Sequence, residues 1–156
     1  MAEYVFVKTK ENYQEAAKLF TEYASWLSID LGFQHFDEEL LRLQEMYAAP
    51  NGGIILAREN NDSIACVAIR RINPAIAELK RMYVKPEHQH QGIGQGLLDK
   101  AIALALQCGY SLIRLDTLNY MTPAMNLYKK NGFTEIDAYY NNPNTTAVYF
   151  ELKIKN

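Results

Sequence analysis

The chain has 156 residues, enough for one domain and too few for two, since a domain takes roughly 100–200 residues. Its hydrophobic fraction of 49% and charged fraction of 22% are those of a globular chain and exclude a disordered or collagen-like polymer. A net charge of −2 leaves no basic surplus for a phosphate polymer, and no local basic patch replaces one, so no nucleic-acid partner is expected.

No apolar run approaches the roughly 20 residues that span a bilayer, and the N-terminal stretch MAEYVFVKTKEN has no apolar leader core. No membrane partner is expected, and the expected location is cytoplasmic. Cys66 and Cys108 form no CxxC and have no nearby histidine pair, so they read as free buried thiols with no disulfide and no metal site. No repeat or linker-like tract divides residues 1–156, which are expected to form a single domain.

In chain order, Tyr4 to Val7 reads as a strand. Tyr13 to Leu27 reads as a helix with Ala16, Ala17, Leu19, Phe20, Tyr23 and Trp26 at three and four spacing. Asp37 is a candidate N-cap for a second helix reaching about Tyr47. Gly53 to Arg58 and Ser63 to Ile72 are β-rich and separated by Asn60-Asn61-Asp62, which predicts a hairpin; Ala75 to Lys85 is a further strand. Ile93, Leu97, Leu98, Ala101, Ile102, Ala105 and Leu106 make one apolar stripe, and Gly109 closes that helix. Leu112 to Leu118 reads as a strand and Pro123 to Lys130 as a helix ended by Asn131-Gly132. Phe133 to Ile136 and Thr146 to Leu152 read as closing strands. This order predicts an α/β (α+β) fold with a mixed, mostly antiparallel sheet and helices on both faces.

The segment Met82-Tyr83-Val84-Lys85-Pro86-Glu87-His88-Gln89-His90-Gln91-Gly92-Ile93-Gly94-Gln95-Gly96 runs from a strand through a glycine-rich turn into a helix. Unpaired amides and the positive end of the helix dipole suit an anion there, and Gly92, Gly94 and Gly96 remove side chains that would hold a diphosphate away. A dinucleotide fingerprint fails because Leu97 stands at its third glycine position, and a P-loop fails for want of GK[ST]. The competing structural reading is that the glycines only tighten the turn.

The spacing Gln89-x-x-Gly92-x-Gly94 resembles the Q/R-x-x-G-x-G/A signature of the GNAT (GCN5-related) N-acetyltransferases. Ala124-x-x-x-Tyr128-x-x-x-Gly132-Phe133 resembles that family's A-x-x-x-Y-x-x-x-G-F element, and the order of elements fits from Ile54 to Phe133. Two departures stand out: His90 lies where many members have a small glycine, and Met121 where many have asparagine. The resemblance implies acetyl-CoA as co-substrate; no metal is expected, because no second metal-ligand spacing accompanies His88 and His90. It implies coenzyme contacts from Met82, Tyr83, Val84, Gln89, His90, Gln91, Gly92, Ile93, Gly94, Gln95, Gly96 and Ala124. A homodimer is a habit of the same family.

Acyl transfer to an amine needs a base, because an amine of pKa about 10.4 is mostly protonated at pH 7, and an acid for the departing thiolate. The resemblance implies Tyr128 as that acid and places Glu78 where some relatives carry a glutamate base. Glu78 read as a partner of Lys80 or Arg81 is the even alternative. Simple alternation puts Glu78, Lys80, Met82 and Val84 on one strand face. With no activated thiol and no histidine placed to act, direct attack within a ternary complex is expected; His88 and His90 read as polar loop residues.

The acceptor, expected to be a small-molecule or peptide amine, is assigned by the resemblance to the region of the first two helices and the last loop. There Phe33, Gln34, Phe36 and Tyr139 are candidates. The alternative is ordinary: Asp37 caps a helix, Glu38 and Glu39 face water, and Phe33 and Phe36 pack. A non-catalytic acyl-CoA sensor and a nicotinamide enzyme are the rival functions.

Overall fold

The computed structural model describes residues 2–27, 31–32 and 35–155. Its elements are β1 (Glu3–Phe6), α1 (Lys10–Leu27), α2 (Phe36–Leu41), α3 (Leu43–Met46), β2 (Gly53–Glu59), β3 (Asp62–Asn73), β4 (Ile76–Val84), α4 (Ile93–Gln107), β5 (Leu112–Leu118), α5 (Thr122–Lys130), β6 (Thr134–Ile136) and β7 (Ala147–Lys153). The strands form one sheet in the order β1-β2-β3-β4-β5-β7-β6, antiparallel throughout except for the parallel pair β4 and β5. This is the mixed, mostly antiparallel sheet the sequence predicts. Among the described residues no helix is long and apolar enough to cross a membrane.

Period-two alternation divides the sheet's apolar residues between two layers. Ile54, Leu56, Cys66 and Ala68 meet Ala16, Leu19 and Phe20 of α1, while Ile55, Val67 and Ile69 meet Leu97, Leu98, Ala101 and Ala105 of α4. Leu106, expected in the α4 stripe, lies outside it and is 44% exposed. Helix α1 starts at Lys10, earlier than its apolar spacing indicates, because the Thr9 hydroxyl caps the Asn12 amide at 3.1 Å. The second helix breaks at Arg42 into two short pieces, and Asp37 sits in the first turn of α2 behind an N-cap at His35. Cys66 is buried as expected, but Cys108 is only partly so.

Glycine is required at position 96 by packing. A Cβ there would run into the hydroxyl end of Tyr4, whose own hydroxyl donates to the Ile93 carbonyl at 3.5 Å. Helix α4 can therefore rest against β1 only where this side chain is missing.

The strand that positions the site is β4, and it is not regular. Ala68 pairs with Lys80 and Cys66 with Tyr83, so β4 carries one residue more than β3 over this stretch, and Arg81 has φ 59. This β-bulge reverses the alternation. Met82 packs with the α4 layer and Tyr83 with the α1 layer, whereas Glu78 and Lys80 precede the bulge. The expectation that Glu78, Lys80, Met82 and Val84 share a face is corrected accordingly. The left-handed arginine is held from several sides. Its Nε and Nη2 donate to Glu39 at 3.0 and 2.7 Å, its guanidinium lies 5.3 Å from the centre of the Phe36 ring, and its carbonyl accepts from the Cys66 thiol at 3.2 Å. Glu39, expected in water, is 1% exposed.

Beyond the bulge the sheet opens. β4 and β5 pair only from Ile76 with Leu112 to Glu78 with Arg114, yet they continue to Val84 and Leu118. The second half of β4 therefore has backbone groups with no strand on its β5 side, and a cleft fills the gap.

Glu39→Gln leaves the buried guanidinium without its charge partner, and urea unfolding should show a loss of about 3–5 kcal/mol. Burial pushes the Glu39 carboxyl up, but the hydrogen bonds and charge of Arg81 outweigh it and hold the group below its usual range. Its contribution is thus complete above the unfolded carboxylate value and lost as pH falls through the lowered folded one. Gly96→Ala should cost about 1–3 kcal/mol by overpacking, and Tyr4→Ala in the same chain should recover part of that loss in a double-mutant cycle.

Candidate active site

The gap between β4 and β5 holds two joined clefts. The outer one, of about 530 Å³, is bordered by Met82, Tyr83 and Val84 of β4, by Gln89, His90, Gly92, Ile93 and Gly94 of the glycine-rich turn and α4, and by Ala124 of α5. These are residues the sequence motifs single out, brought together from three elements. Trp26, expected on the buried face of α1, is 41% exposed and joins this wall beside Tyr23 and Tyr83.

The turn is fixed by local hydrogen bonds. Gln89 Nε2 donates to the Val84 carbonyl at 3.0 Å, tying the loop back to the strand end. His90 and Gly92 both take left-handed backbone, with φ 65 and 81, so the histidine occupies a conformation glycine would adopt freely. The Gly96 amide already donates to the Gly92 carbonyl, so the amides of residues 93–95, one turn earlier, have no intrahelical acceptor and face the start of the helix. Gly96 and Gln95 are turned away from the cleft. Gly96 meets Tyr4, and the Gln95 side chain pairs with Asp99 and Asn131 at 2.8 and 2.9 Å. Gln91 borders neither cleft.

The inner cleft, of about 60 Å³, continues past Met82, Met121 and Ala124, which line both spaces. Tyr128 reaches it from α5. The ring packs against Phe133 and Phe150, and the hydroxyl points at Met82 Sδ 3.9 Å away. Burial pushes this phenol well above its ordinary range, so it keeps its proton through neutral pH. Facing the same space are Lys80, Arg81, Asp116, Asn142 and Asn144. Asp116 Oδ2 accepts from the Tyr140 hydroxyl at 2.7 Å, and Tyr140 accepts from Asn142 Nδ2 at 3.0 Å. Burial raises the Asp116 carboxyl above the usual aspartate value.

Glu78 is 3% exposed and lies outside both linings. Its Oε1 accepts from Arg70 Nε at 2.8 Å and its Oε2 from the Tyr139 hydroxyl at 2.6 Å. Tyr139, a candidate acceptor contact, is thus engaged with Glu78 and with Tyr140 and Tyr149. Phe36, another such candidate, lies under Arg81 and packs with the α1 layer. Phe33 and Gln34 fall outside the described residues. Among the described residues no three His, Cys, Asp or Glu side chains cluster to hold a metal.

Sequence reasoning missed Asp116 and Asn144, and read Lys80 only as a partner of Glu78; Asn142 lies in the last loop, which it had assigned to the acceptor region. One signal was available for Asp116: in the strand Leu112-Ile113-Arg114-Leu115-Asp116-Thr117-Leu118 alternation puts the single acid on the face of Arg114, opposite Ile113 and Leu115, so it has to meet something other than core.

A model of the Acetyltransferase (GNAT) family matches residues 12–133. The chain is 35% identical over 150 residues to an uncharacterized N-acetyltransferase of Schizosaccharomyces pombe, covering 95% of this chain and 92% of that protein. Among solved structures, an acetyltransferase of the GNAT family from Staphylococcus aureus Mu50 shares the fold with a TM-score of 0.82 at 20% identity, over 99% of this chain and 100% of that one. The PaiA N-acetyltransferase of Thermoplasma acidophilum, solved in complex with coenzyme A, does so with a TM-score of 0.76 at 22% identity, over 98% and 99% of the two chains. The chain belongs to the acetyltransferase (GNAT) family, as an acetyl-CoA-dependent N-acetyltransferase.

Proposed function

We propose that this chain moves an acetyl group from acetyl-CoA to the primary amine of a small metabolite or peptide, by direct attack of the amine within a ternary complex. The observation that carries this reading is the junction of the two clefts, where the Tyr128 hydroxyl and the Asp116 carboxylate face one inner space reached past Met82.

Each part of the chain supplies one requirement. The amides of residues 93–95, at the positive end of α4, suit a diphosphate. The open side of Met82 to Val84 offers strand-like hydrogen bonds to an amide-bearing arm such as pantetheine. Bound there, acetyl-CoA supplies an activated thioester. At the inner end, Asp116 is the carboxylate positioned to take a proton from the acceptor ammonium, and Tyr128 is the acid positioned to protonate the leaving sulfur. Glu78 acts at one remove. Its carboxylate fixes Tyr139, which packs against the Tyr140 that grips Asp116. Neither cysteine borders a cleft, and burial raises the thiols of both, which supports attack without a covalent acyl-enzyme.

Thiol release measured across amino acids, polyamines, aminoglycosides and peptides tests the reading; coenzyme binding with no release from any of them would leave a sensor. Tyr128→Phe should lower kcat about 100-fold with coenzyme affinity by calorimetry little changed. Asp116→Asn should lower kcat about as far. The wild-type rate should fall as pH drops through the raised Asp116 value, because the protonated carboxyl can no longer accept. That acid limb should vanish in the Asp116→Asn protein; its persistence would assign the base elsewhere.

A further inference from the structure

The inner cleft brings three charged side chains to its wall, and two of them are satisfied within the chain. Arg81 gives two hydrogen bonds to Glu39, and Asp116 accepts one from Tyr140. Lys80 differs. Its side chain is 8% exposed, and its one ion pair among the described residues is with Glu78 Oε1 at 3.9 Å, beyond hydrogen-bond reach. That oxygen already accepts from Arg70, and the other carboxylate oxygen accepts from Tyr139. Both Glu78 oxygens are therefore held by closer donors, and among the described residues the Lys80 ammonium makes no hydrogen bond, its three donors standing beside the cleft that its side chain lines. Burial, with Arg81 beside it, lowers its pKa to about 8, so at pH 7 it still carries its charge most of the time.

A largely buried ammonium with unfilled donors, held only by an ion pair at 3.9 Å, is costly unless an incoming group completes it. We propose that Lys80 anchors a carboxylate on the acceptor, so that the acceptor is a low-molecular-weight amino acid presenting its amine to Asp116 and its acid to Lys80. This rests on the acetyltransferase reading above and narrows its acceptor. A space of about 60 Å³ suits a carboxylate-sized group, and opposite charges on one wall match a molecule carrying both an ammonium and an acid. Polyamines and aminoglycosides bring no anion to Lys80, and the interior amines of a peptide bring none at short range.

The test compares kcat/KM for acid-bearing acceptors with their decarboxylated counterparts, lysine against cadaverine and phenylalanine against phenethylamine. The wild-type protein should prefer the acid-bearing member by roughly 10- to 100-fold. Lys80→Met should bring that ratio close to one, chiefly through KM for the acid-bearing member, with acetyl-CoA affinity retained. Lys80→Arg should keep part of the preference. Turnover of the decarboxylated amines at equal or higher efficiency by the wild-type protein overturns the anchor and leaves acetyl transfer standing. So does a Lys80→Met protein, folded by its melting curve, that loses both kinds of acceptor in equal proportion. Coenzyme binding with no turnover of any amine overturns both.

Discussion

The ion pair between Arg81 and Glu39 is the constraint on which the site depends. A non-glycine residue at φ 59 in mid-strand is unfavourable by itself. It persists here because the guanidinium gives two hydrogen bonds to a carboxylate on α2 and lies over the Phe36 ring, while the Arg81 carbonyl accepts from the Cys66 thiol. The pair crosses from the α1 layer into the sheet. It connects α2 with β4, the strand that borders both clefts. Removal of the pair would act first on the geometry of β4 and only then on packing.

The bulge and the short β4/β5 ladder act together. The bulge sends Met82 toward the α4 layer, where Tyr128 reaches it, while the ladder stops at Glu78 and leaves the far half of β4 facing open space. An uninterrupted strand with full pairing would have closed the gap and put Met82 on the other face. Two departures from regular sheet, each local, thereby leave two joined clefts, with unpaired strand backbone along the outer one and titratable groups along the inner one.

What could be read from the sequence is what is local in the chain. Gln89, Gly92 and Gly94 lie within one turn, and Ala124, Tyr128 and Gly132 within one helix and its cap, so their spacing carries the geometry directly. The order of elements along the chain and the α4 stripe, apart from Leu106, followed from periodicity for the same reason. The bulge could not be read, because the φ of Arg81 is set by Glu39 from a distant helix, and alternation alone gives the wrong face for Met82 and Val84. The same distance hid the burial of Glu39, which looks like a solvated acid in Asp37-Glu38-Glu39-Leu40. Glu78 and Tyr139 were each noticed as candidates, but nothing in the sequence tells that they bond to one another.

The loop between β6 and β7 carries two adjacent phenols, and each grips a different carboxylate: Tyr139 holds Glu78 and Tyr140 holds Asp116. Asn142 and Asn144 brace the following turns through their side-chain oxygens, which accept the Asn144 and Thr146 amides at 2.9 Å. Neighbouring rings of identical chemistry cannot be told apart by their targets, only by their reach along the backbone. Deleting a single residue ahead of the pair would bring the Tyr140 ring to the place beside Glu78 and leave Asp116 without its phenol. The length of chain ahead of the two tyrosines is thus as much a part of the site as the phenols themselves.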